Sequence, residues 1–354
     1  MASLSQAQKS MLNKARTLGS GSDQVRLDDA ACVYLLARIV ADLGHAAAFP
    51  EVNKPVPAFF TEGDLQSLRI EGHEFMPLIE RLCGLDTNAD TYFVCLANLH
   101  KRRLKYARIL RHQPLPSMDQ VGPRGLLQYG SLSPRALAAL LFWRKWIYDT
   151  DNRAAQETGY VFEPIIANAI GGAPFGQSKS PVRRAGDGRK GRQVDCILDE
   201  WAYEFKIRVT IAASGQGRWG EELQFPEDCK QSGYTPRLVV LDPTENPKLT
   251  ALADAFRAVG GEVYIGDEAW QHLDDMAGPT MATFLETYVR SPIARLLNDM
   301  PEPLPRISFE QGPDQIVITV DGEPLLIQRE VSDAEEEVAD DGLPDDADDE
   351  VAGP

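Results

Sequence analysis

The 354-residue chain is poor in soft metal ligands, with five histidines and five cysteines, the latter at Cys32, Cys83, Cys95, Cys196 and Cys229. The cysteines are odd in number, widely spaced and without a C-x-x-C pair, which argues against a disulfide framework or structural zinc and for reduced core residues in a cytoplasmic protein. No run approaches the roughly 18 apolar residues of a membrane span, and no charged segment leads into an apolar one at the amino terminus. Neither a membrane segment nor a secretory signal is expected. Basic charge is also short, 36 Lys and Arg against 53 Asp and Glu, and the net charge of −17 argues at first against a nucleic-acid partner.

The distribution of that charge removes the objection. With 43% hydrophobic residues the chain can fill one large core or two modest ones. From Glu330 onward there are twelve acids and no base; taking those twelve from −17 leaves the preceding residues at −5. So acidic a tail cannot pack and is expected to be disordered. In the body, basic residues concentrate at 101–111 and 179–192. Local field, not net charge, governs contact with phosphates, so a nucleic-acid partner stays open.

The most informative stretch is QVDCILDEWAYEFKIR, residues 193–208. Val194, Cys196 and Leu198 alternate with Asp195 and Ile197, and residues 202–207 are rich in aromatic and branched side chains. Two strands are therefore expected around a turn at Asp199 and Glu200. A turn symmetric about the 199/200 bond sets Asp195 directly opposite Glu204, with Cβ atoms about 5 Å apart. Like charges so placed repel, a conflict that a cation between them resolves, and hard oxygen ligands suit Mg²⁺ or Mn²⁺. Glu204, Lys206 and Arg208 share one strand face, while Phe205 and Ile207 turn to the core. Metal, ammonium and guanidinium are thus expected to converge. The plain alternative is an exposed hairpin with a Glu/Lys ladder.

Asp195 followed by Glu204-Phe205-Lys206 resembles the signature of the PD-(D/E)xK nuclease superfamily, with Val194 where the superfamily has a Pro that is not a ligand. The runs AYEFKIRVTIAASGQGRWGEELQFPEDC and GGEVYIGDEAW are similar to the ApaLI-like family of type II restriction endonucleases, a likeness over residues 155–295. The resemblance implies an α/β fold: a restriction-endonuclease-like mixed sheet flanked by helices, here with an amino-terminal helical region. It also implies Mg²⁺-dependent cutting of both strands of duplex DNA at a short palindromic site by a homodimer, with Mn²⁺ as a substitute metal. In that reading Asp195 and Glu204 hold the metal, and Lys206 positions the attacking water and offsets phosphate charge. Lys206 stands too near carboxylates to lose its proton readily as a general base. Superfamily members often carry a further acid on the preceding helix, a place that Glu163 fits better than Glu157. A carboxylate among Val161, Phe162, Ile165 and Ile166 needs a partner, although a helix-start Glu favoured by the dipole explains it equally well. Two other readings stay open: a repair or structure-specific nuclease, and a catalytically idle DNA-binding protein of the same fold.

Elsewhere, apolar spacing predicts helices over 27–43, 64–83 and 92–111, the last turning Lys101, Arg102, Arg103, Lys105, Arg108 and Arg111 to solvent or to phosphate. Residues 113–131 read as a connector. Ser133 and Pro134 start a buried helix through LAALLFWRKWIY, and a second helical stretch, interrupted near Pro164, closes at Gly171 and Gly172. The loop carrying Lys179, Arg183, Arg184, Arg189, Lys190 and Arg192 is expected to order on DNA, its bland alternative being a solvated loop. A second loop, 214–220, presents Gln216, Arg218 and Trp219 to base edges or a sugar-phosphate. A helical crossover over 221–232, strands at 237–241 and 262–265 around a helix at 246–259, helices over 268–297 and a hairpin turning at Asp321 and Gly322 complete the order. The linear division is a helical region at 1–130, a nuclease core at 131–300, a hairpin at 301–329 and the acidic tail at 330–354.

Overall fold

The structure, a computed structural model, describes residues 4–19, 24–61, 63–207, 216–299 and 301–330. They group into two compact units, residues 4–101 with 160–293 and residues 102–159 with 294–330. This spatial grouping cuts the chain at different places from the linear division drawn from composition. The expected disordered tail lies, from residue 331, outside the described residues. Among the described residues no helix is long and apolar enough to cross a membrane.

The first unit opens with α1 (Gln6–Lys14), capped by Ser5, and a short ribbon of β1 (Thr17–Leu18) and β2 (Val25–Arg26). α2 (Asp29–Asp42) starts where the Asp28 side chain accepts the Ala31 N–H, and it buries Cys32 to Ala37 on every side. α3 (Phe75–Cys83) begins later than the predicted residue 64, because Gly72 takes a left-handed φ of 86° that ends any helix across it. α4 (Ala89–His112) carries Tyr92 into the core, where its hydroxyl donates to Asp42 at 3.0 Å beside the Tyr288 hydroxyl, bound to the same carboxylate. Lys101, read as solvent-facing, is buried instead. It stands four residues past buried Ala97 on the inward stripe of α4, and its ammonium donates to the Thr17 carbonyl at 2.7 Å.

The supposed connector at 113–131 contains α5 (Met118–Gly125), started by a reciprocal Ser117/Gln120 capping box. α6 (Pro134–Ala169) is one 36-residue helix rather than two, begun by the Ser133 hydroxyl accepting the Ala136 N–H. Pro164 removes one backbone hydrogen bond, and burial of Val161, Ile165, Ile166 and Ala167 around it outweighs that loss. The front of α6 is not buried as its composition suggested, for Leu140, Ile147 and Tyr148 are exposed.

The sheet that organises the first unit follows. β3 (Ala173–Phe175) leads to a small hairpin, β4 (Arg183–Arg184) with β5 (Asp187–Gly191), and then to β6 (Val194–Leu198) and β7 (Trp201–Lys206). α7 (Gln216–Gln231), β8 (Thr235–Val240), α8 (Pro247–Ala258) and β9 (Glu262–Ile265) complete an α/β unit in strand order β3-β6-β7-β8-β9. The first two pairings are antiparallel and the last two parallel, so the sheet is mixed, with β7 at its centre. On one face Ala202, Leu238 and Val240 bury against Phe225 and Cys229 of α7 and Leu252 and Phe256 of α8. On the other, Tyr203 and Tyr264 stack on His272 of α9 (Asp267–Leu285). Helices therefore flank both faces, as the resemblance implied. A turn of π-helix at residues 286–290 and the α-helix α10 (Ser291–Asn298) follow.

In the second unit β10 (Ile307–Gln311), β11 (Gln315–Val320) and β12 (Glu323–Gln328) form an antiparallel meander. The expected hairpin is its second half, with Asp321 and Gly322 both at positive φ, 47° and 96°, as a two-residue turn matched to strand twist requires.

Gly171 and Gly172 join α6 to β3. Gly171 ends the helix at a φ of 85°, and a Cβ on Gly172 would lie 2.2 Å from the Cys196 sulfur and 2.9 Å from the Ile197 carbonyl oxygen. Only glycine lets the chain pass so close to β6. Gly172→Ala is expected to destabilise the protein by about 1–3 kcal/mol through overpacking, read as a lower urea midpoint, whereas alanine at the open position Gly188 changes stability by less than about 0.5 kcal/mol.

Candidate active site

The hairpin register is the one that a turn symmetric about the 199/200 bond requires. Cys196 pairs with Tyr203, Ile197 with Ala202 and Leu198 with Trp201, and Asp199 adopts a φ of 51° in the turn. Continuing that register sets Asp195 across from Glu204. Asp195 is buried at 8% exposure, and its Oδ2 accepts the Phe205 N–H at 2.8 Å, so the carboxylate ties the two strands together beyond their last ladder pair. Phe205 faces the core as expected. Across the parallel pairing, Glu204 lies beside Leu238 and Lys206 beside Val240. The Lys206 ammonium donates to Glu204 Oε1 at 2.7 Å and lies 3.6 Å from Glu222 Oε1 on α7.

Burial and mutual repulsion set the protonation of these groups. Burial, then the Glu204 charge, pushes the Glu163 carboxyl up to about 7 against the opposing pull of Lys206. Burial raises Asp195 well above the usual carboxylate range, with Glu204 and Glu163 adding to it and Lys206 and the Phe205 N–H opposing. For Lys206, burial alone would depress the ammonium, but Glu204, Glu222 and Asp195 together outweigh it and hold the proton more firmly than usual. Lys206 is accordingly a fixed cation and not a ready base. Glu163, on α6, belongs with Asp195 and Glu204 electrostatically, which the sequence alone left even with a simple helix-start role.

A divalent cation fits this donor set on two grounds. The oxygens are hard, and Asp195, Glu204 and Glu163 lie close enough that their mutual repulsion adds to the larger effect of burial in raising the proton affinity of Asp195 and Glu163. Among the described residues no three acidic, His or Cys side chains stand ready in ligating geometry, and Glu204 is engaged by Lys206.

The arginines divide differently from the expectation. The 179–192 segment is not an open loop but carries the β4/β5 hairpin, pinned to α7 and the turn after it: Asp228 Oδ1 accepts the Ala185 N–H at 2.8 Å and Ser232 Oγ the Arg183 N–H at 2.8 Å. Arg192, assigned to DNA, is buried. Its guanidinium pairs with fully buried Asp228 at 3.3 Å, donates to the Glu221 carbonyl and lies over the Phe225 ring. Arg184 pairs with Glu221 at 2.8 Å. Arg183 is exposed, Lys190 is mostly so, and Arg189 is 95% exposed, its guanidinium 3.4 Å from Asp187. A shallow depression is lined by Gln177, Ser178, Arg183, Arg184, Arg189 and Lys190.

Arg208 lies outside the described residues. The expected 214–220 loop is corrected in its second half, because α7 already begins at Gln216; Gln216 and Arg218 sit in its first turn, and their side chains lie outside what the structure describes. Glu157 is occupied elsewhere, pairing in the second unit with Arg102 at 3.1 Å and Lys105 at 2.9 Å. Sequence reading missed Glu222 and Asp228. Glu222 had a legible signal: it stands three residues before Phe225 and seven before Cys229, on the buried stripe of its helix.

A family model described as ApaLI-like restriction endonuclease matches residues 69–290, reaching further toward the amino terminus than the likeness read at 155–295. The type II restriction enzyme ApaLI of Acetobacter pasteurianus is 56% identical over 231 residues, 64% of this chain and 62% of that enzyme, so the chain spans less than two thirds of that relative's length. No solved structure matches the chain. With over half its residues inside the family model, alongside a relative of such identity, the chain belongs to the ApaLI-like restriction endonuclease family.

Proposed function

We propose that the protein is a Mg²⁺-dependent type II endonuclease that hydrolyses phosphodiester bonds in duplex DNA at a short palindromic site, in the restriction of foreign DNA. The observation that carries the reading is the grouping of buried Asp195 with partly buried Glu204 and Glu163, the Lys206 ammonium lying on Glu204, all within the family's matched region. Asp195, Glu204 and Glu163 would hold the metal, Mg²⁺ or Mn²⁺ in its place. Bound there, a divalent cation lowers the pKa of water and offsets charge on the scissile phosphate. Lys206 keeps its proton, orients the attacking water and neutralises the phosphate as negative charge develops on it.

Exposed Arg183, Arg189 and Lys190 are the candidates for phosphate contact, joined by Arg184 if duplex displaces Glu221. Gln216, Arg218 and Arg208, next to the catalytic strand in sequence, remain candidates for base or phosphate contact. A homodimer suits a palindromic site, and the second unit leaves Leu126, Leu127, Tyr129, Tyr148 and Leu296 exposed, more apolar surface than a lone unit ordinarily keeps. A single-chain mass in sedimentation would remove that part of the proposal.

Incubating plasmid DNA with the protein and Mg²⁺ is expected to yield discrete fragments. Smears or cutting of branched DNA would favour a repair nuclease, and binding without cleavage under any metal an idle DNA-binding protein. Asp195→Asn and Glu204→Gln, which keep side-chain shape, are each expected to lower cleavage by more than about 100-fold, beyond the loss of a mere outer-shell partner. Both should keep a cooperative urea transition, and near-normal turnover by either removes the site.

Replacing Arg183, Arg189 and Lys190 together by Ala is expected to weaken binding to cognate and random duplexes alike and to reduce the salt slope by about one for each phosphate no longer neutralised. Arg192→Met is expected to act on stability, because it strands the buried Asp228 charge; a loss of about 3–5 kcal/mol in urea unfolding should follow. An unchanged midpoint with lost affinity would return Arg192 to the DNA surface.

A further inference from the structure

Glu222 occupies a position where the packing of α7 calls for an apolar residue. Phe225 and Cys229, on the same helix face, are buried against Ala202, Leu238 and Val240, and Trp219 and Leu223 pack partly against that cluster. A carboxylate in such a stripe is costly unless its oxygens find partners. Glu222 is half satisfied. Its Oε1 lies 3.6 Å from the Lys206 ammonium, outside hydrogen-bond reach, and its Oε2 is buried with no hydrogen-bond partner among the described residues.

Lys206, 20% exposed, thus has two carboxylates to choose between and sits on the nearer one, Glu204, at 2.7 Å. Under the metal reading proposed above, on which this inference rests, Glu204 must give its oxygens to a divalent cation. An ammonium still bound to Glu204 would compete with that cation, and an ammonium released without an acceptor would be repelled from the site. A lysine carries three donors on a flexible stem, and a shift of about 1 Å brings its nitrogen to charge-assisted hydrogen-bond distance from Glu222. We propose that Glu222 is a positioning residue, the second acceptor that takes the Lys206 ammonium from Glu204 when a divalent cation binds and keeps it within the site. Glu222 then acts through Lys206 and not on the substrate.

The test uses the full chain, Mn²⁺ as the probe and a readout independent of cleavage. Mn²⁺ affinity is measured by calorimetry, and the accessibility of the Lys206 amine by reductive methylation with peptide mass spectrometry, with and without saturating Mn²⁺. In the unmodified protein Lys206 is expected to stay protected in both states. In Glu222→Gln it should be protected without metal, where Glu204 still holds it, and be modified about tenfold faster with metal, the scale of one lost charge-assisted hydrogen bond. Mn²⁺ affinity should fall as well. Glu222→Asp keeps the charge one methylene short and should give intermediate exposure; it is the variant to read if Glu222→Gln does not give a cooperative urea transition.

Equal Lys206 protection in variant and parent at saturating Mn²⁺ overturns the role of Glu222 while leaving the metal site standing. Faster modification in Glu222→Gln that is the same with and without Mn²⁺ also overturns it, since it would report general loosening of α7. Failure of the parent chain to bind Mn²⁺ or Mg²⁺ at all overturns the metal reading itself.

Discussion

Carboxylates crowded together in a protein interior repel one another and lose their hydration, and the arrangement of the first unit follows from how that cost is met at Asp195, Glu204, Glu163 and Glu222. Among the described residues the Lys206 ammonium bonds Glu204 and lies 3.6 Å from Glu222, and Asp195 is held by the Phe205 N–H. Stability alone would have placed apolar residues at these positions, as it did at neighbouring Ala202, Leu238 and Val240.

The scaffold around the acids is correspondingly stiff. β7 is central in the sheet, paired antiparallel to β6 and parallel to β8, so Glu204 and Lys206 ride on a strand fixed from both sides. α6 brings Glu163 and is joined to the sheet through a glycine pair that permits near contact with Cys196. α7 brings Glu222 and, with the turn after it, doubles as the anchor for the basic hairpin through Asp228, Arg192 and Ser232. One helix therefore couples the acidic centre to the basic surface beside it.

That coupling explains why so basic a segment uses its arginines unequally. Arg192 is spent on holding the hairpin to α7, Arg184 is balanced by Glu221, and Arg183, Arg189 and Lys190 face outward. Density of positive charge along a chain does not distinguish these uses, because a guanidinium binds a buried carboxylate as well as it binds a phosphate. Lys101 and Glu157 carry the same lesson on α4 and α6, one spent on a backbone carbonyl and the other on neighbouring cations.

Local rules determined the hairpin outright. Two alternating runs about a two-residue turn allow one register, and that register aligns Asp195 with Glu204 without reference to the rest of the chain. The strands at β8 and β9 and the helix between them were legible for the same reason, since period and caps are set by neighbours in sequence. Only the tertiary structure decided what comes from afar: that Pro164 is carried inside one continuous helix, that Arg192 turns inward to Asp228, and that Glu163 and Glu222, on helices either side of the hairpin in sequence, come within electrostatic reach of the catalytic strand. Those outcomes depend on which surfaces pack together and on the burial and charge each side chain meets there, and such quantities have no period along the chain for a sequence to display.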